Sequence, residues 1–185
     1  FAVLRASRPA LRLVVVGSVA EDSRSGRTLE RLGLQGAVRF TGRIPAVEIA
    51  RLYAEATLAV VPSLYEGFGY PAGEAMSCGV PVVSTRAGAL PEVVGPDGEA
   101  GALVEPGDPV ALARAIGTLL DDPAARVAMG AAGRLRVASR FTWRRAAERT
   151  VDAYREAIAE RSRPAGSNPV DRADATVAET RAAAC

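Results

Sequence analysis

Short apolar runs alternate along this chain with segments in which apolar residues recur every three or four positions. The runs are rich in valine and end at glycine, proline or serine, which is typical of parallel strands buried on both faces. We predict five strands, over residues 11–17, 37–42, 58–63, 81–85 and 101–104. We predict helices over residues 28–32, 45–56, 72–78, 90–94 and 109–120, with 142–160 as the last helix.

Strands that alternate with helices predict an α/β fold, a Rossmann-like parallel sheet with helices on both faces. We place this domain at residues 1–162, truncated at its N-terminus because the chain does not begin with Met. Residues 163–185 have no apolar period and are predicted to be a disordered tail. An apolar stripe on the last helix is expected to pack against the sheet or a neighbouring domain: Trp143, Ala147, Thr150, Val151, Tyr154 and Ile158.

Composition removes several kinds of chemistry. All 23 cationic residues among the 185 are arginine, and the chain has no lysine and no histidine. A Ser-His-Asp triad, a histidine-ligated metal, a Schiff-base lysine and a P-loop lysine are therefore excluded within it. The net charge of +2 does not indicate a nucleic-acid partner. Cys78 and Cys185 suggest neither a disulfide framework nor a thiolate metal site, and Cys78 is expected in the core.

The loop after the third predicted strand carries the candidate chemistry. Ligands of open α/β sheets bind at this edge, and Gly67 and Gly69 would let backbone amides approach a ligand closely. Pro71 stands near the first helical position, and a helix N-terminus suits a phosphate. Glu74, expected in the first turn, could accept hydrogen bonds from a ribose diol, and Glu66 could border the same pocket. The combination suggests a nucleotide diphosphate joined to a hydroxyl-rich group.

Simpler interpretations account for the same residues. Glu74 could be only a favourable first-turn charge, worth about 0.3–1 kcal/mol. Gly67 and Gly69 could simply form a strand-to-helix turn. Glycine spacing alone does not decide between these interpretations.

The ordered motifs resemble glycosyltransferase family 4. Glu66 and Glu74, with seven residues between them, look like the Glu-x7-Glu signature of that family, and the likeness covers about residues 3–160. Other matching segments lie at residues 13–17, 38–42, 52–53, 61–63, 78–83, 90–94, 101–104 and 141–143. The resemblance implies a GT-B architecture of two facing Rossmann-like domains, of which this chain resembles the C-terminal, donor-binding one.

The family's site residues can be carried onto matching positions. Glu74 would hold the nucleotide ribose, and Glu66, as the candidate catalytic residue, would lie near the transferred sugar. The remaining expected site positions are the amides of Gly67, Phe68, Gly69 and Tyr70 at the sugar or diphosphate, Gly42 and Arg43 at the nucleobase, and Gly88 and Leu90 facing the site.

The resemblance also implies the reaction. A retaining glycosyltransferase would move a sugar from a UDP- or GDP-type donor to a hydroxyl of a saccharide, lipid or small molecule. No cofactor and no metal are expected, and the chain has no Asp-x-Asp motif. The arginine and lysine that hold the donor diphosphate, and the acceptor-binding N-terminal domain, would belong to a segment preceding Phe1.

Other interpretations stay open. The chain could be an inactive nucleotide-sugar-binding module, whereas an NAD-dependent enzyme is disfavoured because Gly17-Ser18-Val19 follows the first strand in place of Gly-x-Gly-x-x-Gly. No segment has the length of a membrane span and no signal peptide opens the chain, so we expect a cytoplasmic protein. The arginines of residues 134–149, with Arg136, Arg140 and Arg144 expected on one face, would be solvated, pack against the preceding domain, or attract anionic lipid at the inner face of the membrane.

Overall fold

The computed structural model describes residues 1–20 and 23–161, so the predicted tail lies outside the described residues. The chain divides into two compact units, Phe1–Arg140 and a second one that begins at Phe141. The first unit contains the strands and the candidate site. The second unit is described only through its helix.

Five parallel strands form the centre of the first unit. They are β1 (Leu13–Val15), β2 (Val38–Phe40), β3 (Ala59–Val61), β4 (Val82–Thr85) and β5 (Gly101–Val104). β1 pairs with β2, and β3, β4 and β5 pair in that order, so the hydrogen bonds define two parallel sheets instead of the single predicted one. The predicted α/β class with parallel pairing is confirmed. β1 is not buried on both faces, because Val14 and the following Val16 are exposed.

Seven helices connect and flank these strands in the described part of the first unit. They are α1 (Ala2–Ser7), α2 (Arg24–Arg31), α3 (Ala46–Glu55), α4 (Tyr70–Ser77), α5 (Leu90–Val94), α6 (Pro109–Asp121) and α7 (Pro123–Arg140). The bounds of α5 and β5 match the prediction. α2 begins earlier than predicted because the Ser23 hydroxyl accepts the Gly26 amide as an N-cap. α1 was not predicted, since six residues are too few to show a helical period.

Helices cover both faces of the three-stranded sheet. On one face Leu4 of α1 and three residues of α6 are buried together with Val83 of β4. α4 and α5 place fully buried side chains against the sheet, among them Met76 and Val94. Gly133 of α7 lies directly against Met76, so α7 packs on α4.

The second unit contains α8 (Trp143–Arg161), close to the predicted helix at 142–160. No residue of α8 is buried. The predicted stripe is exposed, with 91% of Trp143 and 67% of Tyr154 accessible, so its packing partner stays a prediction. The single arginine face is also wrong, because α7 ends at Arg140 and Arg144 belongs to α8.

Two other sequence expectations concern single features. Cys78 is exposed at the C-cap of α4, so the prediction that it lies in the core is wrong. Cys185 lies outside the described residues. Among the helices of the described ranges, none combines the length and the apolarity that crossing a membrane requires.

Candidate functional site

The loop between β3 and α4 is anchored to the ends of two strands. The Ser63 hydroxyl donates to Oε2 of Glu66 at 3.2 Å. The hydroxyl of Thr85, at the end of β4, donates to the Ser63 carbonyl at 2.6 Å. Glu66 is half-buried, and the Ser63 hydroxyl holds its carboxylate while the Thr85 hydroxyl holds the backbone of Ser63. Ser63 and Thr85 were not named as site residues from the sequence, although both are hydroxyl residues at the ends of predicted strands.

The same loop contacts the turn between β4 and α5. The Ala89 amide donates to the Glu66 carbonyl at 3.1 Å. Gly88 has a φ of +53°, and a Cβ at this position would overlap the Glu66 carbonyl oxygen. Leu90 is fully buried, and its Cδ2 would lie 2.9 Å from a Cβ on Gly69. Gly88 thus lies against the Glu66 loop and the Leu90 side chain supports that loop from the core, while their facing of a ligand stays a prediction.

α4 begins two residues earlier than predicted, which moves Glu74 along the helix. Gly69, with a φ of +97°, is the N-cap, and Pro71 lies in the first turn. No acidic residue occupies that turn, and Glu74 lies in the second. The charge–dipole effect falls off within the first turn, so the interpretation of Glu74 as a first-turn charge loses its basis.

Glu74 is exposed, and its neighbour Tyr53 comes from α3. The Tyr53 hydroxyl donates to the Pro71 carbonyl at 3.2 Å and lies 3.5 Å from Oε2 of Glu74. Burial, and then the charge of Glu74, raises the pKa of Tyr53 to about 12. From the sequence, Tyr53 is placed in the predicted helix at residues 45–56 and in a segment that resembles the family, but not among the site residues. The available signal was a side chain with a polar tip among the apolar residues of an amphipathic helix.

The predicted amide positions form one continuous turn. Gly67, Phe68 and Tyr70 are exposed, and Gly69 is buried beneath them. The rings of Phe68 and Tyr70 are 4.8 Å apart between centroids. The turn opens directly into α4, where the amides of the first turn have no carbonyl partner within the helix. The structure thus brings the exposed backbone of this turn together with Glu66.

Gly42 and Arg43 lie in a different turn. The Gly42 amide donates to the Gly17 carbonyl at 2.8 Å, so this turn joins the ends of β1 and β2. Arg43 is exposed. Both residues follow the carboxyl end of β2, and the backbone bond of Gly42 joins this turn to the segment after β1.

The titratable residues of the site do not form a metal cluster. Across residues 1–20 and 23–161, no three or more His, Cys, Asp or Glu side chains are grouped so that they could hold a metal ion. The site instead offers two carboxylates, a helix N-terminus and exposed backbone amides. This set can accept hydrogen bonds from hydroxyl groups and donate them to an anion.

Comparisons with known proteins agree on one family. The profile described as glycosyl transferases group 1 matches residues 1–136. MMP alpha-(1->4)-mannosyltransferase of Mycolicibacterium hassiacum is 42% identical over 149 residues, which cover 80% of this chain and 36% of that relative. The chain therefore spans about a third of the length of this curated relative.

Solved structures share the fold. Sucrose-phosphate synthase of Thermosynechococcus elongatus is 37% identical with a TM-score of 0.74, covering 86% of this chain and 41% of that one. The HepE protein of Anabaena, crystallised in complex with UDP-glucose, is 29% identical with a TM-score of 0.66, covering 76% of this chain and 40% of that one.

Proposed function

This chain belongs to the glycosyl transferases group 1 family, and from that premise we propose that it is the donor-binding half of a glycosyltransferase. The parent enzyme would transfer a sugar from a nucleotide-diphosphate sugar to a hydroxyl acceptor, with retention and without a metal. The observation that carries the proposal is the arrangement of Glu66, the turn at residues 67–69 and Glu74 around the start of α4. The UDP-glucose complex of the Anabaena relative supports a nucleotide-sugar donor.

Glu74 is the proposed ribose ligand. Its carboxylate is exposed one turn into α4, and an ionised carboxylate is an acceptor with about four lone-pair sites. The two hydroxyls of a ribose diol are donors at adjacent carbons, so one carboxylate can accept from both. This pairing requires a ribonucleotide and disfavours a deoxyribonucleotide.

The turn at residues 67–69 and the start of α4 are proposed to bind the diphosphate. Gly67, Phe68 and Tyr70 are exposed residues at the helix end that carries the positive pole of the dipole. Negative charge grows on the diphosphate as the sugar leaves. Preorganised amides stabilise that charge without covalent chemistry, which suits a chain with no lysine or histidine.

Glu66 is proposed to contact the transferred sugar. Ser63 holds one of its carboxylate oxygens, and Ala89 holds its backbone carbonyl, so the side chain is oriented before a ligand arrives. A carboxylate in this position can accept hydrogen bonds from sugar hydroxyls and orient the ring for attack by the acceptor on the face that the diphosphate leaves. Glu66 then acts by binding and orientation, and no covalent glycosyl intermediate is required.

Calorimetric titration of the chain with UDP, GDP and ADP tests the proposal. We expect saturable binding of one nucleotide, weakened about tenfold or more by Glu74→Gln, because hydrogen bonds to a charged group contribute about 1.5–3 kcal/mol. Glu55→Gln, at an exposed position at the end of α3, is the matched control and should bind like the unaltered chain. Absence of binding by the folded chain, or equal losses in both variants, would contradict the proposed donor site.

The alternative is a binding module without transferase activity. It predicts the same nucleotide binding in the titration, but no transfer of sugar to an acceptor. The parent enzyme is incubated with UDP-glucose or GDP-mannose and simple saccharide acceptors, and product is measured by mass spectrometry. Binding of the donor without transfer by the parent enzyme would favour the module.

A further inference from the structure

We propose that Tyr53 is a positioning residue for the ribose: its hydroxyl orients the Glu74 carboxylate so that the diol of the nucleotide meets a preformed acceptor. The inference rests on the proposed function, and it adds α3 to the elements that build the donor site. It depends on the position of one hydroxyl group between two acceptors of α4.

The hydroxyl of Tyr53 contacts both the backbone and the Glu74 side chain of α4. It donates to the Pro71 carbonyl at 3.2 Å, and this carbonyl belongs to the first turn of α4. Oε2 of Glu74 lies 3.5 Å from the same hydroxyl. Tyr53 is half-buried in the stripe of α3, so its ring is packed and its hydroxyl has a defined position.

The number of protons and acceptor sites leaves room for a ligand. A tyrosine hydroxyl has one proton, and burial beside Glu74 raises its pKa to about 12, so the proton stays on Tyr53 at neutral pH. The Pro71 carbonyl and Oε2 of Glu74 share that proton, so it engages at most one of the roughly four acceptor sites of the carboxylate. The rest of the Glu74 carboxylate faces solvent and can receive the two ribose hydroxyls.

A long exposed side chain loses conformational freedom when it binds a ligand. Glu74 is exposed, and orientation of its carboxylate by Tyr53 reduces the entropy that ribose binding must remove. α3 follows directly after the turn with Gly42 and Arg43, where the nucleobase is expected. A single connection between β2 and β3 would therefore contribute to the base and the ribose.

The test compares Tyr53→Phe with the unaltered chain in calorimetric titrations with UDP and with 2′,3′-dideoxy-UDP, or with the guanine pair if GDP is the nucleotide that binds. Tyr53→Phe should weaken binding of the ribonucleotide about fivefold and leave binding of the dideoxy analogue unchanged within a factor of two. Tyr154→Phe, an equally small change at an exposed position of α8, is the control and should alter neither affinity.

The outcomes separate this inference from the function on which it rests. If Tyr53→Phe weakened binding of the ribonucleotide and of the dideoxy analogue equally, Tyr53 would only support the fold, and the inference would be overturned. Unchanged binding of both nucleotides would overturn it as well. No binding by the unaltered chain would overturn the proposed function together with the inference. In a Glu74→Gln background, Tyr53→Phe should cause no further loss, and independent losses would again overturn it.

Discussion

Gly88 lies against the backbone of Glu66, so close that a Cβ on Gly88 would overlap the Glu66 carbonyl oxygen. The neighbouring Ala89 amide donates a hydrogen bond to the same oxygen at 3.1 Å. The turn after β4 thereby sets the position of the loop after β3, and with it the position of the Glu66 side chain. The glycine at residue 88 is required by this contact and by its left-handed φ of +53°.

Replacing Gly88 with alanine should therefore damage both the fold and the site. We expect Gly88→Ala to lower the free energy of unfolding by about 3 kcal/mol, from left-handed strain together with overpacking. Gly98→Ala is the control, because Gly98 also has a positive φ, +84°, but has open space where a Cβ would be. It should lose only about 1 kcal/mol. Urea unfolding measures both, and similar losses would show that the contact with Glu66 does not matter.

Ser63 should affect binding of the sugar more than binding of the nucleotide. Ser63→Ala removes the hydroxyl that holds Oε2 of Glu66, so the carboxylate loses its orientation towards the donor sugar. We expect the affinity for UDP-glucose or GDP-mannose, whichever binds, to fall about three- to tenfold, with the affinity for the free nucleotide unchanged. Ser7→Ala, at an exposed site in α1, should change neither. Calorimetry that shows equal losses for sugar-nucleotide and nucleotide would count against this role of Ser63.

Local sequence signals predicted the elements but not the contacts between them. α5 and β5 could be bounded from sequence because Gly95 and Gly101 interrupt short apolar runs. Which helical turn of α4 contains Glu74 could not be predicted from sequence, because it depends on whether the helix starts at Tyr70 or at Ala72. That choice is made by the left-handed conformation of Gly69 and its packing on Leu90.

Long-range partners were beyond the reach of periodicity. Arg136 was predicted as part of a cationic face, but its guanidinium donates to the carbonyls of Glu92 and Val93, more than forty residues earlier in the chain. Tyr53 and Glu74 are likewise on different helices. Helical periodicity predicts which residues share a face of the helix, but it does not predict which element that face packs against.

Arg136 joins α7 to the C-terminal end of α5 and should contribute to stability. Nε donates to the Val93 carbonyl at 2.8 Å, and NH2 donates to the Glu92 carbonyl at 2.7 Å. Lysine cannot reproduce this pair of bonds, so Arg136→Lys should lower the free energy of unfolding by about 1–3 kcal/mol. Arg134→Lys, an exposed change on the same helix, should stay within about 0.5 kcal/mol of the unaltered chain. Indistinguishable urea midpoints for the two variants would refute this role.

Alkaline titration should reveal the environment of Tyr53. The pKa of Tyr53 is raised from an ordinary 10.0 to about 12, by burial first and then by the Glu74 charge. The unfolded chain therefore loses this proton before the folded chain does. Stability that depends on the protonated hydroxyl is fully present below pH 10, and it is lost as the pH rises from 10 to about 12.

The chain is well suited to this measurement because it has no lysine and only four tyrosines. In absorbance at 295 nm, Tyr53→Phe should remove the component that titrates near pH 12, whereas Tyr154→Phe should leave that component in place. Glu74→Gln should move its midpoint towards 10 without reaching it, because burial, the larger cause, remains. A midpoint that does not respond to Glu74→Gln would show that the carboxylate does not act on the Tyr53 hydroxyl, and the proposed orientation of Glu74 by Tyr53 would lose its electrostatic basis.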